Sequence, residues 1–392
     1  MMTKSPRALV ATILIGVFLI SSVPQAHAKG FPTTARASEL KEAYADGELK
    51  ILIVPGHEPN YGGAVFQGVY EREIVVEIAN KLAADLRKDE NIEVIIARTN
   101  ESWNRTLDRY FDREMKKIKS FVTKQKKEMA KMVKKKKVKE IQEGSQVDHA
   151  AAPTDVALRL YGINKWVNEN DIDLVVNLHV NDAPDHDQYT PGANTGFAIY
   201  IPDSQFGNGA ASRPVAESIA RELNSLTATS TLRIENQGVV EDQQLIALGS
   251  NNSLKVPTVL IEYGYITESR MLRPEVRDTL TSDFAYQTYR GLARFLGGSP
   301  GGSYTTEALP HTWTYAPGMD TAGKDVYALQ AALKILGFYP PAESTLVECP
   351  VSGIMNECTE VALKAYQKSH GLVESGTLDA QTRAALNARF GK

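Results

Sequence analysis

Leu49-Lys50-Ile51-Leu52-Ile53-Val54-Pro55-Gly56-His57 is the stretch that decides the fold. Its first six residues are apolar except for Lys50, and Pro-Gly halts the run, so it reads as a short strand buried on both faces. The segments that follow agree with such a strand. A loop with Gly62, Gly63 and Gly68 leads to Glu71, and from there to about Arg87 the residues Ile74, Val75, Ile78, Leu82 and Leu86 fall at helical spacing. Strands are expected at 91–98, 173–179, 196–201 and 256–262, and helices at 155–168, 215–226 and 281–296. Strands alternating with helices predict an α/β fold: a mostly parallel twisted sheet with helices on both faces.

In such a sheet, ligands bind beyond the carboxyl ends of the strands. His57 follows the first strand, His179 ends the third, and Glu262 ends the late one. Glu71 opens the first helix and so faces the same edge. Two imidazoles and a carboxylate form the ligand set of a catalytic zinc that keeps a position open for water. A further carboxylate nearby can serve as general base. Plainer readings stand beside this one. A strand-end histidine can simply be hydrogen-bonded, and Glu71 can simply favour a helix N-terminus. Glu73 is a rival ligand, and Glu262 can pair with an arginine. His149, His186, His311 and His370 read as surface or structural, and Asp182, Asp185 and Asp187 as a solvated loop.

The 392 residues give room for more than one domain, and the net charge of −3 argues against a chain built as a whole to grip nucleic acid. Lys4 and Arg7, the apolar run 8–20 and Ala26-His27-Ala28 have the layout of a signal peptide over 1–28, with an uncleaved anchor as the alternative. Export makes a disulfide between Cys349 and Cys358 an expectation, against two reduced, partly buried thiols. Residues 105–143 lack Pro and Gly and are crowded with lysine, including Lys134 to Lys137. Leu107, Phe111, Met115, Ile118, Val122, Met129 and Val133 lie near one stripe, so this insertion reads as a long helix or a helical hairpin broken at Gly144-Ser145. A charged helix packed by its stripe is the plain reading. A lid, or an arm meeting a regulatory protein or an anionic envelope surface, is the sharper one. Gly297 to Ser303 read as a flexible linker. After it, 325–339 has the pattern of an amphipathic helix, and Gly353 and Gly376 each precede a threonine by six positions. Those threonines, Thr359 and Thr382, are expected to cap two further helices.

Four stretches together resemble a known family. Ile53-Val54-Pro55-Gly56-His57, Gly68-Val69-Tyr70-Glu71-Arg72-Glu73, Asn177-Leu178-His179-Val180-Asn181 and Val259-Leu260-Ile261-Glu262-Tyr263-Gly264-Tyr265-Ile266 are similar to the four motifs of the zinc-dependent N-acetylmuramoyl-L-alanine amidases of type 3. The resemblance runs from about Lys50 to Leu296 around the lysine-rich insertion. It implies Zn2+ held by His57, Glu71 and His179, with Glu262 catalytic, and peptidoglycan as the partner cut between N-acetylmuramic acid and the first stem alanine. Arg98 stands where that family has an arginine after its second strand, and Asn181 follows the second histidine; each is a candidate for substrate contact or for support of the site. The chain departs from the family with Glu58-Pro59 where glycines are usual and Val54 where aspartate is common, which bears on substrate fit more than on metal binding.

The region from about Trp313 to Asn387 resembles the peptidoglycan-binding domain 1 family through Asp325-Val326, Leu329-Gln330, Leu336-Gly337, Ala365-Tyr366-Gln367, Gly371-Leu372, Gly376 and Thr382-Arg383, with Ser-Gly at 352–353 and 375–376 in place of the usual Asp-Gly. The expected layout is a signal peptide over 1–28, a catalytic domain over 48–297 with its insertion at about 105–145, a linker over 298–312 and a binding module over 313–392. The protein is expected outside the cytoplasm, in a periplasm or an external wall. The rival functions are a non-catalytic peptidoglycan-binding protein and a zinc peptidase cutting within the stem peptide.

Overall fold

A computed structural model describes residues 30–140, 152–182, 185–187 and 189–392. The expected signal peptide, His149 and the break at Gly144-Ser145 lie outside the described residues. Among the described residues no helix is long and apolar enough to cross a membrane.

Helix α1 (Ala37–Ala45) precedes strand β1 (Leu49–Pro55), then β2 (Val65–Phe66), β3 (Val69–Tyr70), α2 (Glu71–Leu86) and β4 (Ile92–Ile96). The described part of the insertion forms a single helix, α3 (Arg105–Lys134), and α4 (Thr154–Val167) and β5 (Leu174–Asn181) come next. Strand β6 (Ala198–Pro202), α5 (Gly209–Leu223), β7 (Val239–Asp242), β8 (Thr258–Tyr265), α6 (Ser269–Leu272) and α7 (Pro274–Leu296) complete the larger part. Helices α8 (Lys324–Ile335), α9 (Glu357–Ser369) and α10 (Ala380–Phe390) form the C-terminal module.

Six strands make the central sheet in the order β4-β1-β5-β8-β6-β7. Every neighbouring pair is parallel except β6 with β8. β1 shows why its sequence is apolar almost throughout. Leu49, Ile51 and Ile53 enter the core shared with α2, α5 and α7, while Leu52 and Val54 enter the opposite core with α3 and α4. Alternate side chains of one strand thus meet helices on both faces.

On the second face, Leu107, Phe111 and Ile118 of α3 are buried with Tyr161, Ile163 and Trp166 of α4. Burying an aliphatic or aromatic side chain contributes about 2 kcal/mol, enough for this contact to fix α3 against the body. The Asn104 side chain accepts from Thr106 N–H and caps the helix.

Two boundaries differ from the sequence reading in ways that matter. β8 runs three residues past Glu262, and β5 runs two past His179, so neither residue ends its strand. Pairing continues because Asn181 meets Tyr265 across a register shift in β5. In the C-terminal module the caps are Asn356 and Asp379, not Thr359 and Thr382. Each accepts from the threonine's backbone N–H, and both threonines are buried two residues inside their helices. Their hydroxyls accept from Gln330 and Gln367, which also take the N–H groups of Gly353 and Gly376. A glutamine thus ties each loop to its helix in the same way. Cys349 and Cys358 are disulfide-bonded, with Cα atoms 5.9 Å apart.

The module does not hang free. One apolar core runs from Val276, Leu280 and Phe284 of α7 to Val326 and Tyr327 of α8. Buried Asp283 accepts from Thr306 Oγ1 at 2.6 Å and from Glu307 N–H at 2.7 Å. In the segment read as a linker, the Gly301 carbonyl accepts from Tyr286, and just beyond it the Tyr304 carbonyl accepts from Arg290.

Candidate metal centre

The site begins where β1 ends. Gly56 donates its N–H to Leu178 O at 2.8 Å, which lays the turn directly against β5. A Cβ on Gly56 would lie 2.4 Å from His179 Cε1, so only glycine leaves space for that ring. His57 follows with φ of 66°, a left-handed conformation that costs a non-glycine residue and persists only when its surroundings hold it.

Those surroundings include Glu58, where the sequence departs from the resembled family. Glu58 is buried and accepts from Arg159 Nε at 2.7 Å and from Trp103 Nε1 at 3.0 Å. Arg159 also reaches Asp155, whose carboxylate accepts from Tyr61 OH at 3.1 Å. Residues of α4 and of the turn before α3 therefore clamp the loop on both sides of Pro59. Beneath it, Arg98 is buried and gives its N–H groups to the carbonyls of Pro55, Gly56, Arg72 and Thr99. All of these contacts are to backbone, which marks Arg98 as a support of the loop. Burial lowers its pKa to about 10, and the fields of Glu58 and Glu71 oppose that drop.

Glu71 arrives from the other direction. Gln67 and Gly68, both at positive φ, turn β2 into β3 and deliver Glu71 as the first residue of α2. Its carboxylate is buried and oriented by two backbone donors, Ala64 N–H at 2.8 Å and Val180 N–H at 3.1 Å. Glu71 Oε2 lies 2.8 Å from His57 Nε2, and Glu71 Oε1 lies 3.1 Å from His179 Nδ1. The three residues offer ligand atoms all within 4.8 Å of one another. Glu73 is not part of this group, which meets the sequence question of which carboxylate faces the histidines.

This donor set fits zinc. His57 Nε2 is shut off from solvent without a properly directed hydrogen bond among the described residues, a costly state for a polar atom unless something else binds it. Burial raises the Glu71 pKa, but the His57 and His179 rings overcome that and hold the carboxylate below its ordinary range. Burial lowers the His179 pKa against the opposing pull of Glu71 and so favours the neutral, ligating ring.

Glu262 stands beside the cluster, register-paired with His179 across β5 and β8. Its Oε2 is buried without a hydrogen-bond partner among the described residues. Burial, then the charges of Glu71, Glu235 and Asp182, push its pKa well above the usual carboxylate value. A carboxylate raised in this way takes up a proton readily.

Glu235 belongs to a network that the sequence did not suggest. It is fully buried and accepts from Asn181 Nδ2 at 2.9 Å, Tyr265 OH at 2.7 Å and Tyr200 OH at 2.5 Å. Asn181 is thereby held at the end of β5, two residues after His179. The other histidines within the described residues, read as surface or structural, have local partners: His186 pairs with Asp182, His311 with Asp325, and His370 Nδ1 lies 2.9 Å from Tyr366 O.

The model of the family N-acetylmuramoyl-L-alanine amidase matches residues 51–294, more than half of the chain. A peptidoglycan binding domain model matches residues 322–386. No curated protein matches. Among solved structures, the CwlD amidase of Clostridioides difficile, determined in complex with the GerS lipoprotein, is 16% identical with a TM-score of 0.40 and covers 64% of this chain and 98% of its own. The amidase Ami1 of Mycobacterium smegmatis is 18% identical with a TM-score of 0.40, covering 64% and 97%. The catalytic domain of CwlV from Bacillus (Paenibacillus) polymyxa is 14% identical with a TM-score of 0.39, covering 64% and 99%.

Proposed function

This chain belongs to the N-acetylmuramoyl-L-alanine amidase family and hydrolyses the amide between N-acetylmuramic acid and L-alanine in peptidoglycan, and we propose that it does so with one zinc ion held by His57, Glu71 and His179 and with Glu262 as general base. The observation that carries this reading is the convergence of three ligand atoms within 4.8 Å beside a buried carboxylate oxygen that has no hydrogen-bond partner among the described residues. Bound there, zinc supplies Lewis acidity, enough to ionise water near neutral pH and to polarise an amide carbonyl.

The chain's own residues do the rest. Glu71 Oε1 and Oε2, fixed by Val180 and Ala64 N–H, keep the carboxylate turned toward both rings. Arg98 and the Glu58–Arg159 pair hold the His57 loop in its strained conformation. Glu262 Oε2 takes the proton of the attacking water and returns it to the leaving α-amine of alanine. Burial and the neighbouring carboxylates raise its pKa, which favours uptake of that proton. Asn181 is oriented by Glu235 two residues after His179, close enough along β5 to meet the substrate.

The C-terminal module over 313–392 serves as the peptidoglycan anchor. It raises the local concentration of the catalytic domain, 48–297, at an insoluble polymer. Such a target requires export, to a periplasm or to an external wall. The test is digestion of purified peptidoglycan with the wild type and Glu262→Gln, with products read by mass spectrometry. The wild type should free intact stem peptides with an alanine amine, and the variant should free none. Fragments cut inside the stem peptide would identify a peptidase instead.

A further inference from the structure

We propose that the outer face of α3 is a docking ridge for a linear, phosphate-rich polyanion. Between 116 and 139 the chain carries twelve lysines and a single acid, Glu128. That is a net +11 on a segment of a chain whose total is −3. All twelve lysines are exposed. Among the described residues only Lys117 and Lys131 are ion-paired along the helix, with Glu114 and Glu128.

A helix that served packing alone would intersperse both signs of charge. Here Lys124 and Lys127, and Lys127 and Lys131, are neighbours on the helix surface, and like charges at such spacings destabilise it. The repulsion persists in the folded protein unless a partner of opposite charge relieves it.

The ridge is rigid and pinned at both ends. Trp103, just before α3, donates to Glu58. Beyond its C-terminus Val138 is buried, the Lys139 N–H donates to Gln205 Oε1, and the Lys139 carbonyl accepts from Gln205 and Gln243. From Lys116 to Lys134 the helix rises about 27 Å, with four more lysines just beyond its end, so the charges form a line and not a cluster. A line of point charges fits a polymer laid along it, and lysine meets phosphate as a point charge without demanding one geometry.

The apolar residues of α3 point the other way, which separates a polymer from a bilayer. Leu107, Phe111 and Ile118 are buried in the core, and Phe121 and Val122 pack against it. No large hydrophobic residue of α3 is exposed. A helix that lies in a membrane surface needs a free apolar face to insert; the first half of α3 has its own in the core, and Met129, Met132 and Val133 further along are half-buried, not exposed.

The experiment measures binding of the full chain to long-chain inorganic polyphosphate and to phosphatidylglycerol vesicles over a range of salt. It compares the parent with a variant carrying Lys116→Gln, Lys119→Gln, Lys124→Gln, Lys126→Gln, Lys127→Gln and Lys134→Gln. The parent should bind polyphosphate with an affinity that falls steeply with salt. The variant should bind roughly 100-fold more weakly at low salt, and its logarithmic salt slope should be smaller by about 4. Its helicity should match the parent's and it should melt no lower, since relief of like-charge contacts favours the helix. Equal binding by parent and variant, no polyphosphate binding by the parent, or vesicles bound as tightly as polyphosphate would overturn the proposal.

Discussion

Gly56→Ala should disable the metal centre through one methyl group. The added Cβ would stand 2.4 Å from Cε1, 2.6 Å from Nε2 and 2.7 Å from Nδ1 of His179. Ordinary contact needs about 3.5 Å, so the ring must retreat by about 1 Å. Its backbone cannot follow, because β5 is paired to β1 on one side and β8 on the other, so the ring must swing away from its place beside Glu71. The Gly56 backbone cannot yield easily either, since its N–H is bonded to Leu178 O. Metal sites tolerate ligand displacements of about 0.2 Å, so a shift several times larger should weaken zinc binding by roughly 100-fold. Overpacking should also cost about 1–3 kcal/mol of stability. Zinc affinity by competition with a fluorescent chelator, together with melting temperature with and without zinc, reads both effects. Gly301→Ala is the control, because nothing lies within 4 Å of the Cβ it would gain. Wild-type zinc affinity and full turnover in Gly56→Ala would refute the reasoning.

Three further outcomes are expected. Arg159→Ala should cost roughly 3 kcal/mol in urea unfolding, because Glu58 is left buried with Trp103 as its remaining side-chain donor, and Glu58→Gln in the same chain should recover part of that loss. Asp283 is pushed by burial from 3.8 to about 6, so the folded protein binds its proton more tightly than the unfolded chain does. Stability from this group is therefore fully present below pH 3.8 and is lost as pH rises to about 6. The loss is on the order of 3 kcal/mol, and Asp283→Asn should flatten that part of the stability-versus-pH curve in denaturant titrations. Reducing the Cys349–Cys358 bridge, which closes a separation of nine residues, should cost about 2–3 kcal/mol and lower the melting temperature under reductant.

Much of this was legible in the chain. Leu49 to Val54 announced a strand buried on both faces, and the edge rule then gathered His57, Glu71, His179 and Glu262 at one place. What stayed hidden has physical causes. The extension of β8 to Tyr265 depends on pairing with Asn181 across a register shift, which no local pattern encodes. β7 is four residues long at the edge of the sheet and ends in Glu241-Asp242, so its composition does not mark a strand. Glu58 and Arg159 are 101 positions apart, and Glu235 and Asn181 are 54 apart; their partnerships exist only once the sheet has formed. Composition read Gly297 to Ser303 as flexible, and it could not foresee that Tyr286 would hold the carbonyl of Gly301. The caps of the last two helices are Asn356 and Asp379, and the regular spacing of the threonines drew the reading three positions too far along the chain.

The most direct measurement is zinc content of the purified chain set beside its turnover of peptidoglycan, for the wild type, His179→Ala and Glu262→Gln. About one zinc per chain is expected in the wild type, loss of both metal and activity in His179→Ala, and retained metal with lost activity in Glu262→Gln. Full turnover by chain stripped of metal, or zinc held undiminished by His179→Ala, would contradict the assignment of His57, Glu71 and His179 as its ligands.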